Sequence, residues 1–184
     1  MRLGQLELIC GCMFSGKTVK LIHRLQNAQN DQQHTLAVKP QTDTRSGGRL
    51  ASHVQSEFPA TEVGCAAEIL SLVHREPHVD VVGIDEAQFF DSDIVPVCQS
   101  MVDRGIRVIV AGLDLDYRGV PFGSMPQLLA LADKFLKLTA ICTVCGGEAT
   151  RSQRLTESTE QIECGAKAEY AARCHEHFTP PKES

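Results

Sequence analysis

Residues Gly11, Cys12, Met13, Phe14, Ser15, Gly16, Lys17 and Thr18 spell Gly-x-x-x-x-Gly-Lys-Thr, a complete phosphate-binding loop. Gly11 and Gly16 let the backbone curl so that successive N–H groups face inward, and a following helix adds its positive N-terminal end. Lys17 can reach the β- and γ-phosphates, and the Thr18 hydroxyl can ligate Mg²⁺. A second constellation is the acid pair Asp85-Glu86 at the end of the apolar run 79–84. Ligands gather at the carboxyl ends of parallel strands. There, Asp85 can hold Mg²⁺ while Glu86 takes a proton from an attacking hydroxyl. A hydrolytic ATPase would also use a glutamate at this point, so the pair by itself does not separate the two chemistries. A third constellation is Cys142-x-x-Cys145 with Cys174-x-x-His177. Two such pairs supply four soft or borderline donors, as in a closed tetrahedral zinc site. Cys164 and His175 are rival ligands, the first without a nearby partner and the second without the two-residue spacer.

The elements that must position these groups are legible in the hydrophobic pattern. Residues 6–10 read as a buried strand, and Val19, Leu21, Ile22, Leu25 and Ala28 recur at helical spacing after the loop. Strands are expected over 34–40, 79–84, 106–111 and 134–141. Helices are expected over 68–75, 93–103 (capped by Ser92 or Asp93, closed by Gly105) and 124–132. Residues 41–56 are polar and read as a mobile loop. Strands alternating with helices predict an α/β fold with a mostly parallel sheet covered on both faces, of the phosphate-loop NTPase type. Composition changes near Cys142, where cysteines, glycines and charges replace apolar runs. The expected division is a nucleotide-binding unit over 1–140, a zinc-binding lasso over 141–178 and a tail over 179–184.

Composition bounds the rest. The chain has 184 residues, 42% of them apolar, with a formal charge of −5, no Trp and two Tyr. Overall charge gives no general attraction to nucleic acid. No apolar stretch approaches the roughly 20 residues of a membrane span. Eight cysteines beside a phosphate loop fit a reducing cytoplasm better than a disulfide framework. Cys65 and Cys98 read as core packing. His23, His34, His53, His74 and His78 show no ligand spacing. Tyr117 follows a strand at the site edge and suits either stacking on a base or core packing.

These motifs together resemble the type II thymidine kinases, a compact zinc-containing family. The match includes Met13-Phe14-Ser15 within the loop, Lys39-Pro40 with Asp43-Thr44-Arg45, the segment from Asp85 to Phe90, and Leu113-Asp114 with Pro121-Phe122-Gly123. It also takes in Lys137-Leu138-Thr139-Ala140 and the zinc pairs. The resemblance implies ATP-dependent phosphorylation of the 5′-hydroxyl of thymidine or deoxyuridine, with Glu86 as base. It implies phosphate and Mg²⁺ contacts from the loop, Asp43, Arg45, Asp85 and Gln88. On the nucleoside side it implies Met13, Leu113, Tyr117, Ser152 and Tyr170, with Gln161, Ile162, Glu163, Cys164 and Gly165 in a lasso closing over the substrate. Met13, Leu113 and Ser152 would line a methyl pocket. It further implies structural Zn²⁺, a homotetramer and feedback inhibition by thymidine triphosphate, with no nucleic-acid or membrane partner. Cys12, Ser46, Ser152, Cys164 and His175 depart from the family pattern without removing a catalytic group. The competing class is a zinc-bearing ATPase acting on nucleic acid, which would want a basic face or stacking aromatics along a groove.

Overall fold

The computed structural model describes residues 4–43, 48–51, 57–156 and 169–181. Among these, six strands form one parallel sheet: β1 (Gln5–Gly11), β2 (Thr35–Pro40), β5 (Thr61–Val63), β6 (Val81–Ile84), β7 (Arg107–Gly112) and β8 (Lys134–Leu138). Their spatial order is β5-β2-β6-β7-β1-β8, and every neighbouring pair runs parallel. Side chains alternate across it, as period-2 geometry requires. On one face Leu8, Val82, Val108 and Val110 pack with helices α2 (Ala66–Arg75), α3 (Ile94–Asp103) and α4 (Met125–Leu131). On the other, Ile9, Val81, Ile109 and Ala111 pack with Leu21, Ile22 and Leu25 of α1 (Lys17–Asn30). The expected α/β sheet, covered on both faces, is present. Glu7 interrupts the apolar pattern of β1, and its buried carboxylate is held by Arg24 at 2.7 Å and Arg107 at 2.6 Å.

Three expectations need correction. The segment 41–56 is not wholly loop, because β3 (Arg49–Ala51) pairs antiparallel with β4 (Glu57–Pro59). The cause is Leu50, buried with Phe58 against the α1 cluster, a single apolar anchor hidden in polar sequence. The rest of that expected mobile loop, 44–47 and 52–56, lies outside the described residues. The strand over 134–141 divides at Thr139: β8 completes the main sheet, while β9 (Ala140–Ile141) pairs with β10 (Glu148–Ala149). The start of α3 is organised by Asp91, whose carboxylate accepts the Asp93 N–H at 3.0 Å and the Ala66 N–H of α2 at 3.3 Å. Neither Ser92 nor Asp93 supplies a side-chain cap. Gly105 closes the helix at φ 82° as expected.

Beyond β9 and β10, strands β11 (Arg151–Arg154) and β12 (Tyr170–Arg173) form a separate antiparallel pair. This region rests on the phosphate loop through a small shared cluster of Cys12, Cys142, Ala149 and Ala172, with Phe14 and Cys174 against it. Cys98 is fully buried, and burial pushes its thiol up to about 12. Cys65 instead is half-buried at the N-cap of α2, not in the core. His23, His34, His74 and His78 are exposed, and His53 lies outside the described residues.

Candidate active site

The phosphate loop joins β1 to α1 at the carboxyl edge of the sheet. Gly11 sits at φ 141°, where an added Cβ would collide with the Leu138 carbonyl of β8. Phe14 is held at φ 66°, an uncommon conformation for a non-glycine residue. Ser15 Oγ and Lys17 Nζ both donate to the Cys12 carbonyl at 2.8 Å, which draws the loop into a closed turn. Two bonds then tie the loop to the C-terminal region. The Met13 N–H donates to Ser152 Oγ at 3.0 Å, and the Cys12 thiol donates to the Ala149 carbonyl at 3.2 Å. Burial raises the Cys12 thiol above its ordinary range, against the opposing field of Lys17.

Asp85 and Glu86 follow β6 beside this loop. Thr18 Oγ1 donates to Asp85 Oδ2 at 2.9 Å, so the two groups assigned to Mg²⁺ already meet. Burial, followed by the neighbouring Glu86 charge, pushes the Asp85 carboxyl up to about 7. A divalent cation at this point would favour its ionised form, so the residues present fit that group. Glu86 is half-buried and adopts φ 50°. A left-handed non-glycine residue costs on the order of 1–3 kcal/mol and clusters at functional positions. Gln88 donates to Glu86 Oε2 at 2.6 Å while its Oε1 accepts the Leu113 N–H at 2.9 Å. Both ends of that buried amide are thus engaged. Gln88, expected among the phosphate contacts, here links the Glu86 carboxylate to the Leu113 backbone.

The turn after β7 is equally fixed. Asp116 accepts the backbone N–H groups of Arg118 (2.8 Å) and Val120 (3.2 Å) and pairs with the Arg118 guanidinium at 2.7 Å. Phe122 meets Phe89 edge to face at 5.7 Å, and Gly123, at φ 51°, lies where a Cβ would stand 2.7 Å from the Gln88 carbonyl. Tyr117 is buried in this turn. Its ring carries the Arg154 guanidinium at 3.8 Å, and Arg154 also donates to Tyr170 Oη through Nε at 3.0 Å and Nη2 at 2.7 Å. Of the two roles open to Tyr117, packing is present, and its partner is an arginine. Met13 and Leu113 are half-buried and Ser152 is buried.

Sequence reasoning missed Arg154 altogether and the partners of several other groups. Arg154 carried no motif, since only the pairing of β11 with β12 brings it to both tyrosines. Lys39 is 1% exposed, donates to the Asp43 carbonyl at 2.9 Å and stands 3.5 Å from Glu62. Its position before Pro40 was visible, but not its burial. Asp114 pairs with Lys137 at 2.7 Å across the end of β1. Arg45, Ser46 and the lasso residues Gln161, Ile162, Glu163, Cys164 and Gly165 lie outside the described residues.

Cys142, Cys145, Cys174 and His177 bring one donor atom each within 4.8 Å of one another. Cys145 Sγ lies 3.9 Å from Cys174 Sγ, and Cys174 Sγ lies 3.0 Å from His177 Nδ1. Ligands about 2.0–2.3 Å from one ion fit such separations. The Cys145 N–H, against desolvation and with help from the Cys174 and Val144 N–H groups, lowers the Cys142 thiol to about 6, favouring a thiolate. The cluster could therefore hold a metal such as zinc, and the donor set fits it. His175 is exposed and stands outside the cluster.

A family model described as thymidine kinase matches residues 4–178, which takes in the phosphate loop, the acid pair and the Cys/His cluster together. The chain belongs to the thymidine kinase family. Among its curated relatives, a thymidine kinase of Rhodothermus sp. is 48% identical over 180 residues, covering 97% of this chain and 83% of the relative. A thymidine kinase of Bacteroides fragilis is 46% identical over 178 residues, covering 96% of this chain and 88% of the relative. One from Bacteroides thetaiotaomicron is also 46% identical over 178 residues. In this family member the loop meets the acid pair through Thr18 and Asp85, and the metal cluster through packing of Cys12 on Cys142.

Proposed function

We propose that the chain transfers the γ-phosphate of ATP to the 5′-hydroxyl of thymidine, and of deoxyuridine, yielding the nucleoside monophosphate and ADP. The observation that carries this reading is the pairing at the end of β6. Asp85 is bound to Thr18 at 2.9 Å, while Glu86 accepts from Gln88 at 2.6 Å. One carboxylate thus faces the phosphate loop, and the other is aimed as a base. Loop N–H groups and Lys17 bind the phosphates and neutralise charge that spreads over the transferring oxygens. Thr18 and Asp85 would hold Mg²⁺, which would supply positive charge against that of the phosphates. Glu86 accepts the proton of the attacking hydroxyl, and Gln88 keeps its carboxylate from rotating away. Asp43 and Arg45 join the phosphate side.

On the nucleoside side the same reading assigns Met13, Leu113, Tyr117, Ser152 and Tyr170, with 161–165 presenting backbone groups to the base. The Met13–Ser152 bond supports this, since it seats β11 directly on the phosphate loop. Cys142, Cys145, Cys174 and His177 would hold structural zinc at the base of that region. The reading divides the chain at residue 140 and places the enzyme in the cytoplasm. Among the described residues no helix is long and apolar enough to cross a membrane. Feedback inhibition by thymidine triphosphate and assembly as a homotetramer belong to the same reading. Exposed Phe135 and Ile141 along the β8–β9 edge support the assembly. The nucleic-acid ATPase is not favoured: the chain is acidic, and both of its tyrosines are buried against Arg154. Transfer of labelled phosphate from ATP to thymidine tests the proposal.

A further inference from the structure

Arg154 is the most completely buried arginine among the described residues, at 6% exposure, and nothing in the transfer step itself calls for it. Its position is nevertheless close to the chemistry. It follows Ser152 by two residues, so both point to the same side of β11, and both are buried. Ser152 accepts the Met13 N–H of the phosphate loop. Arg154 is therefore one strand repeat away from that loop. Across the strand pair it faces Tyr170, the first residue of β12. On its other side its guanidinium plane lies 3.8 Å from the Tyr117 ring centroid.

The two tyrosines come from different parts of the chain. Tyr117 stands on the turn that opens at Leu113, the residue after β7, whose N–H is held by Gln88, the same amide that holds Glu86. Tyr170 opens β12 next to Glu169, whose carbonyl accepts the Leu155 N–H at 2.8 Å. Arg154 joins these two pieces: its guanidinium lies over one ring, and its Nε and Nη2 both donate to the hydroxyl of the other. A planar cation with several fixed donors can do both at once, whereas an ammonium cannot.

We propose that Arg154 is a positioning residue for nucleoside recognition, locking Tyr117 and Tyr170 into a single wall that receives the base. The proposal rests on the thymidine kinase reading of the site. Because Arg154 acts on the base side and not on the phosphates, its loss is felt in the nucleoside KM and not in the ATP KM. Charge alone does not suffice, so lysine does not restore function. Tyr170 works through its hydroxyl, so removing that hydroxyl reproduces part of the same defect.

The test is steady-state kinetics of Arg154→Lys, Arg154→Ala, Tyr170→Phe and the Arg154→Lys/Tyr170→Phe double variant, with thymidine and ATP varied separately. The wild-type chain is assayed first. A wild-type chain inert toward thymidine would overturn the functional reading itself, whereas every later outcome bears on Arg154. For Arg154→Lys the thymidine KM is expected to rise about tenfold, because an ammonium cannot reproduce the planar fork that meets both tyrosines, with the ATP KM unchanged. Tyr170→Phe is expected to raise it less, and the double variant no more than Arg154→Lys alone. A wild-type thymidine KM in Arg154→Lys would overturn the proposal. So would a parallel rise in both KM values, which would mark a structural support and not a base-side one. Should Arg154→Ala fail to fold, Arg154→Lys and Tyr170→Phe still decide the question.

Discussion

The Gln88 amide holds Glu86 Oε2 at 2.6 Å and, through its own oxygen, the Leu113 N–H at 2.9 Å. One buried side chain thus sets the proposed base against the turn that carries Tyr117. Glu86 stands at φ 50°, and the Gln88 bond fixes the direction of one of its two carboxylate oxygens.

Gln88→Ala is therefore expected to lower kcat about tenfold or more while leaving the ATP KM near wild type. Its stability cost should be about 1–3 kcal/mol, from the Leu113 N–H left without a partner. Steady-state kinetics with a denaturant melt separates the two effects. A kcat equal to wild type would show that Glu86 needs no such restraint.

Glu86→Gln should go further. General-base assistance is worth about 10²–10⁴-fold, and the amide is close to isosteric, so ATP binding should survive. Single-turnover phosphoryl transfer with parallel nucleotide titration checks this. Retention of most of kcat would remove Glu86 from its role.

Much of this arrangement could be read before any coordinates. The phosphate loop, the acid pair and the four metal donors are local patterns whose spacing states their chemistry, and the sheet followed from apolar runs bounded by turn residues. What escaped was non-local or hidden by polarity. Leu50 anchors a hairpin from inside a polar segment, and Arg154 acquires its partners only when β11 pairs with β12. Gln88 was assigned to the phosphate side by resemblance, and its bonds to Glu86 and Leu113 escaped because they come from both sides of the site. Thr139 gave no sign of the sheet change, since the apolar pattern continues through it from Leu138 to Ala140.

Metal is expected at one tightly held ion per chain. Structural zinc sites carry apparent binding free energies on the order of 10–16 kcal/mol, so Cys174→Ser should lose metal and loosen the β11–β12 region while the parallel sheet stays folded. Elemental analysis and circular dichroism read these separately. Cys164→Ala should keep its metal, and its loss there would reassign the fourth ligand.

Discrimination among nucleosides should depend on the polar edge of the base more than on its methyl group. A reversed donor and acceptor leaves buried groups unpaired at about 1–3 kcal/mol each, whereas one methyl in an apolar pocket is worth roughly 1–3 kcal/mol in total. Values of kcat/KM are expected to place thymidine and deoxyuridine together, with deoxycytidine and purine nucleosides well below. Deoxycytidine used as well as thymidine would refute the edge-reading account.

The most direct test of the central claim follows labelled γ-phosphate from ATP, with Mg²⁺ present, when thymidine or single-stranded DNA is added in turn. Thymidine 5′-monophosphate should accumulate in step with ADP, at a rate indifferent to the DNA. Release of the label as inorganic phosphate, unaffected by thymidine and accelerated by DNA, would contradict the assignment.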